Sequence, residues 1–268
     1  MTSTPTSTLP RTIDISSTPH VTLWTLVQVE ARKTFDTRAG RWFSMAILAL
    51  VVLATAVGVL FYPEASQDYV DMLSLGGGIL GYFLPVLMIL LVTSEWSQRT
   101  GLATFTLEPR RSRVVSAKLL AGLGISVGAL LIGLVVAAAG TALSPVNGGS
   151  AQWGLGLGEL WSFVFTSLIG VFVGFALAML VRNSAAAIVG YFVYTLILPT
   201  VAAVLSQLID GVAKIAPWVE FNTAQAPLVM GDYSATGAQW AQILVSGTVW
   251  LIVPIVIGVM RLVRAEVK

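Results

Sequence analysis

The sequence predicts an all-α membrane protein with six transmembrane helices, and three observations point to this fold class. The first is composition: 56% of the 268 residues are hydrophobic and only 10% are charged, whereas soluble domains carry about 25% charged residues. The second is a series of apolar runs, each near the ~20 residues that cross a bilayer. The third is the placement of Lys and Arg, which concentrate in alternate connections between those runs.

The six predicted spans follow the apolar runs. They cover residues 42–62, 75–94, 114–143, 160–181, 184–208 and 239–262. The third is long enough to tilt or to protrude from the bilayer. The apolar stretch 160–208 is too long for a single crossing, and Arg182-Asn183-Ser184 interrupts it. We expect a tight reversal there, because Asn is common in turns.

Prolines and paired glycines occur inside the spans. Proline kinks a membrane helix but is tolerated where neighbours satisfy the freed carbonyl groups, so we expect ordinary bends rather than functional hinges. Small residues four apart let helices approach closely, and we expect this packing within one subunit rather than between two. The residues concerned are Pro85, Pro199 and Pro254, and the pairs Gly77/Gly81, Gly124/Gly128 and Gly170/Gly174.

Two segments precede the first span. Residues 1–19 are rich in Ser, Thr and Pro and are typical of a disordered tail. Residues 20–41 predict an amphipathic helix, N-capped by Thr18 with Pro19 in its first turn, that lies along the membrane surface. A helix packed on a cytosolic partner is the alternative. Its apolar face holds Trp24, Val27, Ala31, Phe35, Ala39 and Trp42, and its polar side Gln28, Glu30, Arg32, Lys33 and Asp36.

Charge is distributed unevenly between the two ends of the predicted bundle. With six spans, all Lys and Arg from residue 32 onward except Lys214 fall on one side. The other side holds most of the acidic residues. Because Lys and Arg concentrate in cytoplasmic loops, we predict that both termini are cytoplasmic and that the protein is a multi-pass protein of the plasma membrane. An odd number of spans would destroy this partition.

The connection between spans five and six, residues 209–238, is the longest segment on the outer side. It is apolar throughout, unlike a freely solvated loop. We expect one or two short helices that dip back toward the bilayer, where backbone must be covered by protein or line a cavity. The segment is a candidate outer gate, and its candidate residues are Pro217, Trp218, Phe221 and Pro227.

The sequence lacks the residues that several classes of membrane-protein function require. The chain has no Cys and a single His, His20, which excludes disulfides and multi-His metal sites and disfavours haem anchoring. The cores of the predicted spans hold no charged residue, which argues against an ion-coupled carrier. A P-loop motif is missing, as is any catalytic set. We therefore predict no enzyme activity, no cofactor on this chain and no nucleic-acid partner, with energy supplied by another chain or not used.

A polar stretch, residues 95–118, lies between the apolar runs of spans two and three. It holds five basic residues, and each such charge costs about 2.5–3.5 kcal/mol at a bilayer centre. The stretch therefore cannot sit in lipid. A polar segment between two spans is either a plain connector or a docking site for another protein, and we favour the docking site. The basic residues are Arg99, Arg110, Arg111, Arg113 and Lys118.

The same stretch resembles the signature region of ABC-2 type ABC transporter permeases, in particular their actinobacterial branch. The resemblance is carried by Thr-Ser-Glu-Trp-Ser-Gln-Arg-Thr-Gly-Leu-Ala-Thr-Phe-Thr-Leu-Glu-Pro-Arg-Arg, residues 93–111, and by the reversal at 182–186. The lead helix, six spans and outer apolar loop match in order, so the resemblance covers about residues 21–268. Many family members read Gly-Thr where this chain has Thr100-Gly101.

The resemblance implies a permease subunit of an ATP-driven exporter. Two such subunits, identical or related, would form the pathway, and two cytosolic ATPases would hold ATP and Mg²⁺. Residues 95–113 would form a coupling helix that seats in the ATPase, with Ser94 as its cap and Ser112 capping span three. A membrane anchor or assembly subunit without transport is the alternative. The expected coupling residues are Glu95, Trp96, Arg99, Gly101, Leu102, Phe105, Leu107 and Pro109.

A further set of basic residues is expected to anchor the protein to anionic headgroups of the lipid bilayer, worth about 1 kcal/mol each. Basic residues of the polar stretch can serve both as headgroup anchors and in docking. The expected anchors are Arg32, Lys33, Arg110, Arg111, Arg113, Lys118 and Arg182.

Overall fold

A computed structural model of the chain describes residues 21–62, 68–98, 106, 108, 110–148, 150–230 and 233–264. Throughout this part of the chain the regular secondary structure is helical. Within these described residues, six helices are long and apolar enough to cross a membrane, which agrees with the predicted number of spans. The predicted tail, residues 1–19, lies outside the described residues.

The helices follow one another with short connections. We number them α1 to α9 in chain order. They are α1 Leu23–Asp36, α2 Arg38–Phe61, α3 Tyr69–Ser97, α4 Arg111–Leu143, α5 Leu157–Val181, α6 Ser184–Leu208, α7 Asp210–Val219, α8 Phe221–Val229 and α9 Gly237–Arg264. The six candidate spans are α2, α3, α4, α5, α6 and α9.

Threonines set the boundaries of the first two helices. The backbone N–H of Thr25 donates to Oγ1 of Thr22 at 3.1 Å, so α1 begins at Leu23. The predicted cap Thr18 and Pro19 lie outside the described residues. Thr37 caps α2 in the same way, because its Oγ1 accepts from the N–H of Gly40 at 3.1 Å. The helix of the first span therefore begins at residue 38 rather than 42.

The ends of α3 and α4 also differ from the prediction. Ser94 does not cap a new helix, because its Oγ donates to the carbonyl of Leu91 at 2.8 Å and α3 continues through Ser97. Ser112 does not cap span three, since α4 already begins at Arg111. Backbone hydrogen bonding carries a helix past the limit of its apolar run, and hydropathy does not detect those polar turns.

The central helix of the bundle is α3, which packs against α2, α4, α5 and α6. Its proline is accommodated by two neighbours. Gly174 lies so close that a Cβ would come within 2.7 Å of the Pro85 carbonyl oxygen. Pro85 leaves the carbonyl of Gly81 without its helical donor, and the hydroxyl of Tyr191 donates to that carbonyl at 2.9 Å. The close approach expected for the pair Gly170/Gly174 is thus confirmed.

Two of the spans widen into π-helical turns. In α6 the turn covers Val193–Ile197, and in α9 it covers Thr248–Ile252. Each ends shortly before a proline, Pro199 or Pro254. Proline removes a donor and its ring crowds the carbonyl four residues earlier, which favours the wider turn. The expected ordinary bends are therefore π-turns in these two spans.

Contacts between the connections define two ends of the bundle. At one end, Arg113 reaches the carbonyl of Val21 and Arg182 reaches the carbonyl of Gly258. At the other, the N–H of Tyr69 donates to the carbonyl of Gln152. The first end, which we call the basic end, gathers the start of α1, the connections α3–α4 and α5–α6 and the end of α9. This grouping is the one expected for six spans.

Candidate functional site

The basic end holds three charged side chains that are almost fully buried. Lys118 on α4 is 2% exposed, and Glu30 on α1 and Glu95 on α3 are each 4% exposed. The Lys118 Nζ lies 2.6 Å from a carboxylate oxygen of Glu30 and 3.5 Å from one of Glu95. It also donates to the carbonyl of Leu91 at 3.3 Å. One lysine thus joins three helices, and we call these three residues the ion cluster.

A fourth charge lies at the rim of the ion cluster. Lys33, with its side chain 42% exposed, contacts the other oxygen of Glu30 at 2.6 Å. Burial of Glu30 raises the pKa of its carboxyl, but Lys118 and Lys33 outweigh that effect and the net pKa is lowered. Glu30 therefore stays ionised near neutral pH, as a buried ion pair requires.

The ion cluster corrects three surface assignments. We expected Lys118 to anchor to headgroups, Glu95 to contact a soluble partner and Glu30 to lie on the polar side of its helix. All three side chains lie instead in the interior, paired with one another. Local periodicity could not find this arrangement, because Glu30 and Lys118 are 88 positions apart in sequence.

The turn between α5 and α6 forms a second part of the basic end. Arg182 adopts a left-handed backbone with φ of 55°, and the side chain of Asn183 accepts from the N–H of Ala186 at 3.0 Å to cap α6. The Arg182 guanidinium lies 5.7 Å from the ring centre of Trp96. The hydroxyls of Thr93 and Ser184 are 2.7 Å apart. The predicted reversal is present, and it is fastened to the end of α3.

Arg182 and Trp96 are part of the packing rather than freely exposed. Both line a pocket of about 190 Å³. Burial lowers the pKa of the Arg182 guanidinium, and the nearby positive charges of Arg261 and Arg111 lower it further. Burial is the larger of these causes, and the contributions of Arg261 and Arg111 show that three arginines lie near one another at this end.

The remaining basic side chains divide into paired and exposed groups. Arg113 forms an ion pair with Glu108 at 2.8 Å, and Arg111 donates to the carbonyl of Leu262. Arg32 and Arg110 are exposed, so their positions suit contact with headgroups. Most of the expected coupling residues lie outside the described residues, and their role stays a prediction. These are Arg99, Gly101, Leu102, Phe105, Leu107 and Pro109.

At the opposite end, two short helices fill the connection between spans five and six, as expected. They are α7 and α8, and Glu220 between them caps α8 by accepting from the N–H groups of Asn222 at 3.0 Å and Thr223 at 2.6 Å. Phe221 is 3% exposed and packs on α9 so closely that a Cβ on Gly247 would lie 3.1 Å from its ring.

Two tryptophans connect α7 and α8 to the spans through hydrogen bonds. The indole N–H of Trp161 on α5 donates to the carbonyl of Leu228 at 3.0 Å. That of Trp250 donates to the carbonyl of Val219 at 2.8 Å. Trp250 belongs to the π-turn of α9, and its ring lies 4.9 Å from that of Tyr194 in the π-turn of α6. The two irregular turns thus meet beneath α7 and α8.

The four residues expected at the outer gate are not equivalent. Phe221 is buried, Pro217 and Pro227 are half-buried inside α7 and α8, and Trp218 is exposed. Sequence reasoning missed Glu220, whose signal is an acidic residue directly before a helix start. It also missed the π-turns, although Pro199 and Pro254 mark both positions.

Neither the family models nor the curated proteins against which the chain was compared contain a match to it. What the fold defines is a class: a multi-pass α-helical protein with six helices able to span a membrane. Within the described residues, no group of His, Cys, Asp and Glu is arranged to hold a metal ion.

Proposed function

We propose that the chain is the permease subunit of an ATP-driven ABC exporter in a bacterial plasma membrane. It would pair with a second permease subunit, identical or related, to form the pathway. Separate cytosolic ATPases would bind at the basic end and hold ATP and Mg²⁺. The resemblance of residues 93–111 to the permease signature supports this reading, as does the number of helices able to span a membrane.

The observation that carries the proposal is the ion cluster, because two of its members, Glu95 and Lys118, are the first and last residues of the polar stretch. The segment between α3 and α4 is bounded by helix ends that Glu95 and Lys118 join. Lys118 also joins this pair to α1 through Glu30. A force applied to the segment by a docked ATPase would therefore move three helices together rather than bend one loop.

The outer end supports the second half of the mechanism. The short helices α7 and α8 rest on spans five and six where both contain π-turns. Turns of this type occur often at functional sites. We propose that rocking of the spans is absorbed there and opens the pathway outward. Re-entry of α7 and α8 into the outer leaflet belongs to the same proposal.

Co-purification tests this function directly. The tagged chain would be purified in detergent from the cells that produce it naturally, together with any ATP-binding subunit bound to it. We expect the ATP-binding subunit to remain bound. Replacing Phe105 and Leu107 by Asp should abolish binding, because burying each side chain is worth about 1.5–3 kcal/mol and a buried unpaired charge costs more.

The matched control is Arg110→Gln, which removes an exposed charge from the same segment and should leave the ATP-binding subunit bound. Loss of binding in this variant with retention in the Asp pair would show that docking is electrostatic and that Phe105 and Leu107 are not the docking residues. Failure of any ATPase to bind the unmodified chain would favour the membrane anchor or assembly subunit over the permease.

A further inference from the structure

A long apolar groove lies beside the basic end, between α1, α2, α3 and α4. Its volume is about 640 Å³, within the range of about 300–1,000 Å³ that is usual for ligand sites. Trp24 and Phe35 of α1, Leu48 of α2, Leu84 of α3 and Ile132 of α4 are among the side chains that line it. Nearly all of its wall is hydrocarbon.

The length of the groove matches one leaflet of a bilayer. Its wall runs along α2 from residue 41 to 51 and along α4 from residue 120 to 133. At 1.5 Å per helical residue these stretches are about 15–20 Å long. Half of a ~30 Å hydrocarbon core is about 15 Å. The groove therefore extends from one end of the bundle about as far as an acyl chain does.

Glycines keep the groove open. Gly124 and Gly128 line it, and a Cβ on either would meet no atom within 4 Å. The close helix packing that their spacing predicts does not occur at this pair, although it does occur at Gly170/Gly174. The side chains at the open edge, such as Leu48 at 45% and Ile132 at 49% exposure, are apolar, so a hydrophobic occupant is favoured.

The end of the groove nearest α1 is polar and positively charged. Arg41 and Gln28 line it and are exposed, and neither side chain forms a hydrogen bond or ion pair to another described residue. Ser44 also lines the groove, although its hydroxyl oxygen is buried, without a hydrogen-bond partner in the described part of the chain. Asp36, at the end of α1, does not line the groove. An exposed arginine and an exposed glutamine, neither paired with a described residue, thus lie at the mouth of the groove.

We propose that this groove binds an anionic phospholipid, with one acyl chain along Gly124 and Gly128 and the phosphate against Arg41 and Gln28. The guanidinium supplies charge-assisted hydrogen bonds to phosphate, and the groove removes the acyl chain from its neighbours in the leaflet. The assignment does not depend on the proposed function, because it rests only on the shape and charge of this surface.

The chemistry of the groove favours a lipid over a partner helix, a second copy of this chain included. An anionic phospholipid carries in one molecule an acyl chain for the apolar wall and a phosphate for the exposed Arg41.

Native mass spectrometry of the purified chain tests the assignment. The protein would be titrated with phosphatidylglycerol and with phosphatidylcholine that carry the same acyl chains. We expect phosphatidylglycerol to bind about tenfold more tightly, because the quaternary ammonium of phosphatidylcholine offsets its phosphate charge whereas phosphatidylglycerol keeps a net negative charge for Arg41. Arg41→Gln should remove this preference, whereas Arg38→Gln, an exposed arginine on the same helix that does not line the groove, should keep it.

A second pair of variants tests the acyl-chain part. Gly124→Leu with Gly128→Leu fills the groove and should lose both lipids, whereas Gly78→Leu, at an equally open glycine outside the groove, should lose neither. Equal binding of the two lipids by the unmodified chain, or an unchanged preference in Arg41→Gln, would overturn the headgroup contact. Full lipid binding by the double variant would show that the groove is not the site. Disulfide cross-linking of Ile132→Cys in a lipid-free dimer would show instead that a second copy of the chain occupies the groove.

Discussion

Lys118 brings a single positive charge to a place where two carboxylates are already buried, Glu30 on α1 and Glu95 on α3. A buried ion pair contributes little compared with apolar packing, but removing one partner is strongly destabilising because the other charge is left uncompensated. The geometry therefore makes the lysine indispensable to the junction without making it a large net source of stability.

Lys118→Met should accordingly lower the free energy of unfolding by about 3–5 kcal/mol. Tryptophan fluorescence of the detergent-solubilised protein would follow thermal unfolding. Arg110→Met, at an exposed position, should change stability by less than about 0.5 kcal/mol. Adding Glu30→Gln and Glu95→Gln to Lys118→Met should recover part of the loss; a triple variant that is less stable than Lys118→Met would contradict the assigned pairing.

The lowered pKa of Glu30 gives this junction a pH dependence. A carboxyl whose folded pKa is below its ordinary value of 4.5 stabilises the fold at pH above that value, and the contribution is lost as the pH falls through the folded pKa. The stability difference between the unmodified chain and Glu30→Gln should therefore be full at neutral pH and shrink below pH 4.5. A difference that grows on acidification would show that Glu30 is not held as the anion.

At the scale of single helices, hydropathy predicted the six spans but not where their helices begin and end. A polar turn such as 94–97, Ser-Glu-Trp-Ser, continues α3 at no cost in hydrogen bonding, yet hydropathy does not detect it. The burial of Glu30 and Glu95 was also unpredictable, because Lys118 comes from a distant part of the chain. The glycine pairs show the same limit, since identical spacing gives close packing at one pair and an open groove at another.

The Pro85 turn of α3 makes a specific prediction about Tyr191. Its hydroxyl satisfies the carbonyl of Gly81 that the proline deprives of a donor. Tyr191→Phe should cost about 1–3 kcal/mol, the penalty for a buried unsatisfied acceptor. Thermal unfolding would be compared with Tyr82→Phe, which alters a tyrosine on α3 that is 41% exposed. Equal stability of the two variants would mean that water or a shift of the helix satisfies the carbonyl instead.

The packing of α8 on α9 can be tested by the reactivity of a single introduced cysteine, because the chain contains no Cys. Gln225 is 5% exposed, so Gln225→Cys should resist a polar thiol reagent. Adding Phe221→Asp places an unpaired charge against Gly247, at a cost of several kcal/mol, and should make the cysteine reactive. Trp218→Asp, at a neighbouring exposed position, should leave it protected. Protection that survives Phe221→Asp would show that α8 is held by other contacts.

For the whole molecule, burial decreases from the centre of the bundle outward. In the most apolar part of α3, 56% of the residues are buried within the subunit, whereas in the most apolar part of α6 only 11% are buried. The surface of α6 is thus left for lipid or for a second subunit, in keeping with the proposed pairing of permeases. The basic end and the opposite end remain distinct across the bundle, because the contacts of Arg113, Arg182 and Tyr69 group the connections alternately.

The positive-inside rule predicts that the basic end faces the cytoplasm, and single cysteines test this prediction on a chain that has none. Ser97, Ser150 and Ser234 are all exposed, so a thiol reagent can reach each of them. With an impermeant reagent on intact cells, Ser150→Cys and Ser234→Cys should be labelled and Ser97→Cys should not. Permeabilised cells should label all three, which separates a cytoplasmic position from a protected one. Labelling of Ser97→Cys in intact cells would place the basic end outside, where a cytosolic ATPase could not reach it.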